Sequence, residues 1–288
     1  MRRGLATAAL AAGLVVLGAT FAGPLHPAGD SLAVGRPFLA ALLVIAGLLL
    51  RGRTGWAAVA GGVVALAPIL WAMRPIEGPE PGRGIVVYQK NLLYSVDDPA
   101  QIAADIRDSG ADVALLQELS AQNGELTGML ADVLPHQAVC PSNTPGTVSI
   151  LSRWPFQGEP YCATGVGLAW VRVALPQGEA AVASLHLDWP WPQSQPEQVA
   201  HLLPRLRDLP RPVILAGDFN AVPWSQTVAS IAEATGTNRA GPLRPSFSLG
   251  GLPITIDHLL APEGWSAATE MRPGLGSDHR GQRATLVP

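Results

Sequence analysis

Carboxylate, amide and imidazole side chains lie in six short groups along the second part of this 288-residue chain. The groups contain the carboxylates Glu118, Asp188, Asp218, Asp257 and Asp278, the amides Asn91 and Asn220, and the imidazoles His186, His258 and His279. Oxygen donors without a cage of cysteines or histidines suit Mg²⁺, Mn²⁺ or Ca²⁺ rather than zinc. A histidine held by a carboxylate can carry a proton near neutral pH. The residue types therefore indicate a divalent-cation site with acid–base chemistry beside it.

Each group also has a structural explanation when it is considered alone. Gly217-Asp218-Phe219-Asn220 suits a tight turn, because Gly, Asp and Asn favour such turns. Gln117-Glu118 could belong to a solvated surface, and an Asp-His pair beside a turn is more often a hydrogen-bonded loop than a catalytic pair. The shared position of the groups, at the ends of apolar segments, favours a common site.

The apolar segments next to these groups have the length and composition of β-strands. The predicted strands are Ile85–Tyr88, Val113–Leu116, Val148–Leu151, Val171–Ala174, Ala181–Leu185, Val213–Ala216, Thr255–Leu260 and Ala284–Val287. Helices are predicted from Asp98 to Gly110 and from Pro196 to Leu206. Sites form where strand ends meet at one edge of a sheet. The mixture predicts an α/β or α+β globule with a substantial core.

In this order and placement, the motifs resemble those of the endonuclease/exonuclease/phosphatase superfamily. That superfamily includes pancreatic-type deoxyribonuclease, abasic-site endonucleases, bacterial sphingomyelinases and inositol polyphosphate 5-phosphatases. The matching motifs are Asn91 after the first strand, Leu115-Leu116-Gln117-Glu118, Ile150-Leu151-Ser152-Arg153-Trp154-Pro155, Ser184-Leu185-His186-Leu187, Gly217-Asp218-Phe219-Asn220, Ile256-Asp257-His258 and Ser277-Asp278-His279. Segments 187–192 and 221–225 are similar to a membrane-anchored bacterial branch. The resemblance implies a four-layer α/β (α+β) sandwich, in which helices flank two β-sheets, and a metal-dependent phosphoesterase.

The resemblance also implies a metal site. Glu118 is the main ligand of Mg²⁺ or Mn²⁺, Asn91 helps to place the metal and the phosphate, and Asp278 lies near the metal. Several nucleases of the superfamily carry an acidic residue two positions after the equivalent of Asn91, where this chain has Leu93. A second metal is therefore not implied.

The remaining matching residues take catalytic roles by the same resemblance. Asp218 and Asn220 bind and orient the attacking water and the phosphate, and His186 donates to a phosphate oxygen. Asp257 holds His279, and either Asp218 or His279 takes the proton of the water. In-line attack builds charge on the phosphoryl oxygens, and a metal with positioned donors stabilises that charge.

Charge is unevenly distributed along the chain, of which only 14% is charged and 48% is hydrophobic. Residues 1–74 contain six arginines, no lysine and a single acid, Asp30, whereas the remainder contains 13 basic and 21 acidic residues. The net charges of the two parts are +5 and −8. This composition excludes a disordered chain, a coiled coil and a small disulfide framework, and it divides the chain into two physically different parts.

The first part contains three apolar segments of near-membrane length. They lie at about residues 4–23, 32–50 and 54–73. About 20 helical residues cross the hydrocarbon core, and the second segment reaches that length only with Arg36 at the interface. Burial in a soluble core is the alternative, which would require three helices with almost no polar face. The predicted divisions are a bundle of three transmembrane helices over 1–74, a linker over 75–83 and a catalytic domain over 84–288.

Arginines next to these segments predict their orientation. Arg2 and Arg3 precede the first segment, and Arg51 and Arg53 lie between the second and the third. The positive-inside rule places both pairs in the cytoplasm, so the part after Arg74 lies outside. The first segment could instead be a cleaved signal peptide, with the same outcome for the catalytic domain. We therefore predict a multi-pass protein of the inner or plasma membrane with an extracytoplasmic catalytic domain.

Two cysteines, Cys140 and Cys162, both lie in the predicted outer part. Buried free thiols would be the expected state in a cytosolic enzyme, whereas export favours a disulfide. The spacing lacks the paired cysteines or clustered histidines of a zinc site.

The predicted substrate is a phosphoester carried by a lipid head group or by nucleic acid. Nucleic acid is disfavoured, because the outer part is acidic and has a single lysine, Lys90, where a basic stripe would be expected. Membrane attachment favours a lipid head group or another phosphodiester of the envelope. Trp189, Trp191 and Trp224 could touch the bilayer interface, or they could pack within loops. No stable protein partner is predicted.

The sequence as a whole predicts a membrane-anchored, divalent-metal-dependent phosphodiesterase that hydrolyses its substrate by in-line attack of water. A metal-dependent nuclease of the same fold is one alternative. A non-catalytic membrane receptor or scaffold on a degenerate hydrolase fold is another, which the loss of a motif would favour. Every expected motif is present.

Overall fold

The computed structural model describes residues 2–76, 78–79, 84–141 and 146–288. The helices are α1 (Arg2–Ala19), α2 (Ala28–Ala33), α3 (Arg36–Leu50), α4 (Gly52–Ala72), α5 (Ala100–Asp108), α6 (Glu125–Met129), α7 (Gln195–Arg207) and α8 (Gln226–Thr235). The strands are β1 (Ile85–Asn91), β2 (Val113–Leu119), β3 (His136–Pro141), β4 (Thr147–Ser152), β5 (Tyr161–Ala163), β6 (Leu168–Leu175), β7 (Gly178–His186), β8 (Val213–Asp218), β9 (Thr237–Arg239), β10 (Phe247–Leu249), β11 (Leu252–Ile254), β12 (Asp257–Pro262), β13 (Ser266–Met271) and β14 (Gln282–Val287). Part of the predicted linker over 75–83 lies outside the described residues.

Two six-stranded mixed sheets form the centre of the second part. Their strand orders are β13-β14-β1-β2-β4-β3 and β5-β6-β7-β8-β12-β9, and β10 pairs with β11 separately. A parallel pair lies at the middle of each sheet, β1 with β2 in the first and β7 with β8 in the second. The carboxyl ends of a parallel pair lie at the same edge of a sheet, so these four strands deliver the polar residues at their ends to one place.

The alternating pattern of the strands produces the layers. Leu115 on β2 and Val182 on β7 belong to the apolar core between the two sheets. Their neighbours point the other way, Leu116 toward the core shared with α5 and α6, and Ala183 toward the core shared with α7 and α8. The result is an α/β/β/α order of layers, and the predicted sandwich of two β-sheets flanked by helices is confirmed.

The predicted strands and helices are present, with shifted ends in several cases. Strand β12 begins at Asp257 rather than at Thr255, because the preceding residues are used elsewhere: Thr255 donates to the carbonyl of Arg244, and the backbone of Ile256 bonds to Ser246. Helix α8 was not predicted, although Ser225 caps its start and a left-handed Gly236 ends it. Edge strands β5 and β9 have three residues each and leave little signal in the sequence.

The first part is a bundle in which α1, α3 and α4 pack on one another. Small residues allow the closest approach: a Cβ at Gly47 of α3 would overlap the carbonyl oxygen of Gly55 on α4. Large apolar side chains point away from the bundle, including Leu49, Val64 and Trp71. Of the described helices, α4 alone is both long and apolar enough to cross a membrane. The prediction of three spanning helices is not confirmed by that criterion, since the apolar part of α1 and all of α3 are shorter.

The two cysteines form a disulfide between the sheets. Cys140 lies on β3 at the edge of the first sheet, and Cys162 lies on β5 at the edge of the second. Their Cα atoms are 5.3 Å apart. The bond therefore joins the two layers at the side of the sandwich that these two edge strands form.

Thiol labelling of the native protein without reductant is expected to find no free cysteine. Reduction should lower the free energy of unfolding by about 3 kcal/mol, because a cross-link over 22 residues restricts the unfolded chain. The double variant Cys140→Ala/Cys162→Ala serves as the control, since its stability should not respond to reductant. Two thiols that label rapidly in the native protein would contradict this bond.

Candidate active site

The ends of β1, β2, β7 and β8 surround one cavity of about 300 Å³. Asn91, His186 and Asp218 are the last residues of β1, β7 and β8. Glu118 lies where the pairing of β2 with β4 is interrupted by a bulge, and its φ of 60° is in the left-handed region. Asn220 is also left-handed, with a φ of 46°. Backbone strain of this kind costs about 1–3 kcal/mol and is concentrated at functional sites.

An amide joins the two carboxylates at the bottom of the cavity. Asn91 Nδ2 donates to Glu118 Oε1 at 2.9 Å and to Asp218 Oδ2 at 3.0 Å. The second oxygen of Glu118 accepts the backbone N–H of Tyr94 at 2.9 Å. These contacts fix both carboxylates at the point where β1, β2 and β8 end.

His279 enters from the opposite wall and is held by Asp257. Its Nδ1 lies 2.8 Å from Asp257 Oδ2, which leaves Nε2 facing the cavity, 3.7 Å from Asp218 Oδ2. The backbone N–H of His279 donates to Ser277 Oγ, and that hydroxyl donates to the carbonyl of Asn91. The loop that carries His279 is thereby tied to the strand that carries Asn91.

His186 faces the same carboxylates from β7. Its Nε2 lies 3.7 Å from Asp218 Oδ2 and 3.8 Å from Glu118 Oε1. Asp218 Oδ2 is therefore equally distant from the Nε2 atoms of His186 and His279. Separations of 3.7–3.8 Å exceed a direct hydrogen bond, so an oxygen atom of a water or a phosphate could lie between these groups.

The loop after β8 is shaped by close packing against β7. A Cβ at Gly217 would overlap the carbonyl oxygen of Leu185, so glycine is required where the two strands approach. The backbone N–H of Asn220 donates to Asp218 Oδ1, and its side chain donates to the carbonyl of Leu187. Asn220 lines the cavity and also fixes the course of the chain after β7.

A buried polar network between the sheets supports Asp257 from behind. Gln89 Nε2 donates to Asp257 Oδ1 at 3.0 Å and to Gln117 Oε1 at 2.9 Å. Gln117 in turn donates to Ser184 Oγ on the other sheet. The network holds the carboxylate that holds His279, and it gives Gln117 a structural role in its motif.

The predicted site residues mostly converge. Asp278 stands at the rim with its side chain half exposed, and its Oδ1 is 4.0 Å from His279 Nε2. Asp188 is also at the rim, where it accepts a hydrogen bond from Ser194. His258 does not reach the cavity: its Nε2 donates to the carbonyl of Ala221, and its ring packs on Phe219. Successive residues of a strand point to opposite sides, so Asp257 faces the site and His258 faces away.

Sequence reasoning missed three features of the site. Tyr94 and Phe247 line the cavity, and the ring of Phe247 lies 4.7 Å from that of His279. Lys90 is fully buried, and its ammonium donates to the carbonyl of His279 at 2.9 Å and to that of Pro273. A lysine at the end of an apolar strand indicates that its ammonium group has buried acceptors. No local pattern in the sequence indicates that Phe247 lines the cavity.

The pKa values of three neighbouring groups, Asp218, Asp257 and His279, are shifted from their usual values. Burial raises the pKa of Asp218 to about 6, against the opposing effect of His279. Burial disfavours the charged forms of Asp257 and His279. Their mutual attraction is stronger than this effect, so the pKa of Asp257 is lowered and that of His279 is raised to about 10. These directions favour the charged form of His279 beside the two carboxylates, and burial favours the protonated form of Asp218 more than it would for an exposed carboxyl group.

Stability should depend on pH through His258. Burial lowers the pKa of this imidazole from 6.5 to about 4, so it stays neutral in the folded chain while the unfolded chain takes up a proton below about pH 6.5. The stabilisation, about 3 kcal/mol, is complete above that pH and is lost as the pH falls toward 4. Chemical unfolding of the wild type and His258→Gln in detergent should give profiles that diverge over this range. Parallel profiles would contradict the assignment.

Two groups of side chains could hold a divalent cation. Ligand atoms of Asp218, Asp257 and His279 lie within 4.8 Å of one another, but the latter two are committed to their hydrogen bond. Glu118 and Asp218 instead present carboxylate oxygens to the cavity, with the Asn91 amide between them. Hard oxygen donors of this kind fit Mg²⁺ or Mn²⁺, so we favour the position at Glu118.

The chain belongs to the endonuclease/exonuclease/phosphatase family. The family pattern matches residues 88–279, which includes every strand end that contributes to the cavity. Members of this family are metal-dependent phosphoric ester hydrolases, so the prediction of that class of enzyme is confirmed. No curated protein matches the chain.

Solved structures share the fold at low sequence identity. A beta toxin from Staphylococcus aureus with bound magnesium ions matches with a TM-score of 0.56 and 12% identity, over 70% of this chain and 99% of the toxin. An endonuclease/exonuclease/phosphatase from Bacteroides vulgatus matches with a TM-score of 0.56 and 15% identity, over 70% and 98% of the two chains. TDP2 from D. rerio, complexed with a single-stranded DNA product, matches with a TM-score of 0.56 and 17% identity, over 71% and 99%. These similarities establish the fold.

Proposed function

We propose that the protein is a membrane-anchored, divalent-metal-dependent phosphodiesterase of the membrane-anchored bacterial branch, with its catalytic domain outside the cytoplasm. The observation that carries the proposal is the convergence of Glu118, Asn91 and Asp218 with two imidazoles around one cavity. Anionic oxygens on one side and N–H donors on the other suit a phosphate group better than a neutral substrate.

Glu118 would hold Mg²⁺ or Mn²⁺, Asn91 would fix that carboxylate in place by donating to it, and Asp278 stands at the rim nearby. Carboxylate oxygens fit such a cation, and the beta toxin structure with bound magnesium ions supports a divalent metal in this fold. When bound, the metal supplies positive charge that stabilises the phosphoryl oxygens.

The side chains of the site have separate roles in proton transfer and in binding the phosphate. Asp218 takes the proton of the attacking water at Oδ2, since this oxygen faces the cavity between the Nε2 atoms of His186 and His279. His279, charged and fixed by Asp257, donates from Nε2 toward the phosphate and the leaving oxygen. His186 donates to a phosphoryl oxygen from the other side, and Asn220 keeps the loop of Asp218 in place.

A diester is favoured because the cavity has an apolar wall next to its polar floor. Trp189, Phe247 and Tyr94 line the cavity together with the carboxylates, and their rings offer apolar contact to the second organic group that a diester carries on its phosphate. Nucleic acid is the less favoured substrate, since the acidic outer part has no basic stripe in its sequence.

Membrane attachment is supported by the surface of the helical bundle. The described parts of α1, α3 and α4 present large apolar side chains outward and pack through small residues inward, as membrane helices do. The arginines between α3 and α4 favour a cytoplasmic position for that end, which leaves the sandwich outside. The Cys140–Cys162 disulfide suits an oxidising compartment.

Turnover of a panel of phosphodiesters and phosphomonoesters, with and without chelator, tests the proposed activity. Hydrolysis of diesters that is lost with chelator and restored by Mg²⁺ or Mn²⁺ is expected. Binding of a phosphate ester without turnover under any metal condition would favour the non-catalytic receptor instead.

Protease added to intact spheroplasts tests the topology separately. The sandwich should be degraded from outside, whereas the turn that contains Arg51 and Arg53 should be protected. Protection of the sandwich until lysis would reverse the orientation.

A further inference from the structure

The connection between α1 and α3 is bound to the catalytic domain through Asp30. This carboxylate is buried, and it accepts the backbone N–H groups of Gln226 at 2.7 Å and Thr227 at 2.8 Å. Those are the first two residues of α8. The only acid of residues 1–74 is therefore used to join the helical bundle to the sandwich.

Helix α8 does not need Asp30 as its cap. Ser225 occupies the usual capping position, and its hydroxyl accepts the backbone N–H of Val228. Asp30 takes the two amides that Ser225 leaves open. Asp30 therefore attaches the connection between α1 and α3 to the start of α8, which Ser225 already caps.

Further contacts surround this attachment. Ser31 Oγ donates to the carbonyl of Trp191 at 2.5 Å, and the indole of Trp224 donates to the carbonyl of Ala33 at 2.8 Å. The ring of His26 meets that of Trp191 edge-on at 5.6 Å. We call residues 22–34 the juxtamembrane clamp.

The last turn of α4 makes a separate attachment on another segment of the sandwich. The backbone N–H of Leu243 donates to the carbonyl of Ala72 at 2.7 Å, and Arg244 donates to the carbonyl of Met73 at 2.5 Å. The bundle is therefore attached to the sandwich at two different segments.

Residues that line the cavity lie a few positions along the chain from the attached residues. Trp189 lines it two residues before Trp191, so their Cα atoms are at most about 7 Å apart. Asn220 lines it four residues before Trp224. Phe247 lines it three residues after Arg244, and its ring packs against that of Trp189 at 6.1 Å. The mouth of the cavity is therefore beside the end of the bundle that carries the clamp.

We propose that the juxtamembrane clamp holds the active-site mouth at the surface of the membrane that contains the bundle, that the substrate is a phosphodiester lipid of the adjacent leaflet, and that Asp30 is the positioning residue. The inference rests on the proposed function and adds the source of the substrate. Trp189 and Trp191 remain 43% and 45% exposed at this mouth, as side chains that meet a lipid interface would be.

Two substrates for the same reconstituted full-length protein separate positioning from catalysis. One is water-soluble bis(p-nitrophenyl) phosphate; the other is a vesicle bilayer of phosphatidylethanolamine, phosphatidylglycerol, cardiolipin and sphingomyelin, assayed by release of water-soluble products. Asp30→Ala should lower turnover of the bilayer lipids by about tenfold or more and leave turnover of the soluble diester within about twofold. Asp208→Ala, which removes an exposed acid at the end of α7, is the matched control and should change neither.

Equal losses on both substrates, or an unchanged rate on the bilayer, would overturn the role of Asp30. Turnover of the soluble diester with no lipid hydrolysed by the wild type would refute the lipid substrate and leave the proposed function intact. No turnover of either would count against the proposed function itself.

A spin label measures the position of the mouth without relying on activity. A label at Trp189→Cys should relax faster when the vesicles carry nickel-chelating head groups, and Asp30→Ala should reduce that effect. A label at Glu179→Cys, near the other end of β7, should respond weakly in both backgrounds. Equal responses at the two positions would overturn the proposed orientation.

Discussion

His279→Ala is expected to lower turnover of an accepted phosphodiester by about 10²–10⁴-fold. The imidazolium that faces the cavity would be lost, and with it the proton donor and the positive charge opposite Asp218. Added Mg²⁺ or Mn²⁺ should not restore the rate, because a metal at Glu118 cannot supply that proton. The measurement is turnover against metal concentration at fixed pH.

Two further variants define this effect. Asp257→Asn should lower turnover in the same direction, because the imidazole would lose the carboxylate that orients and charges it. His201→Ala removes an exposed imidazole on α7 and should leave turnover unchanged. Turnover of His279→Ala at the level of His201→Ala would remove His279 from the mechanism, whatever the fold.

Glu118→Gln is expected to lower turnover at limiting metal by a comparable factor of about 10² or more, but for a different reason. Glutamine keeps the length of the side chain and an acceptor for the N–H of Tyr94, so the left-handed turn at this position should persist. What it loses is the other oxygen, which accepts from the Asn91 amide, and the negative charge that attracts a divalent cation. Excess Mg²⁺ or Mn²⁺ should therefore recover part of the activity.

Metal binding provides a second measurement for this variant. Calorimetric titration should give weaker binding to Glu118→Gln and unchanged binding to Glu263→Gln, which alters an exposed carboxylate. If both glutamine variants bind metal like the wild type, the cation does not lie at Glu118. Binding that is lost only on changing Asp257 would favour the alternative group of Asp218, Asp257 and His279.

The local sequence was sufficient to predict the central strands and the position of most polar groups at their ends. Segments such as Val113–Leu116 and Val213–Ala216 are buried on both sides, and that burial requires an uninterrupted apolar run. Polar residues directly after such runs lie at the carboxyl ends of strands. The local pattern alone therefore places Glu118 and Asp218 at the carboxyl ends of their strands, although their roles in catalysis stay predictions.

The sequence could not decide which side of a strand a residue faces when both neighbours are polar. Asp257 and His258 stand side by side in β12, and only the pairing with β8 turns the carboxylate toward His279 and the imidazole toward Ala221. Short edge strands such as β9 could not be predicted from the sequence either, because they form only by pairing with a strand that is not their neighbour in the chain.

The sequence by itself thus determined which polar residues end the central strands and the apolar character of the helical part, because both depend on residues close together in the chain. Tertiary structure alone decided how the two parts meet. Asp30 is separated by 196 positions from the amide of Gln226 that it accepts, and nothing near either residue indicates the other. Contacts of that range arise only when the completed sandwich places α8 against the bundle, so they leave no periodic or local pattern in the sequence.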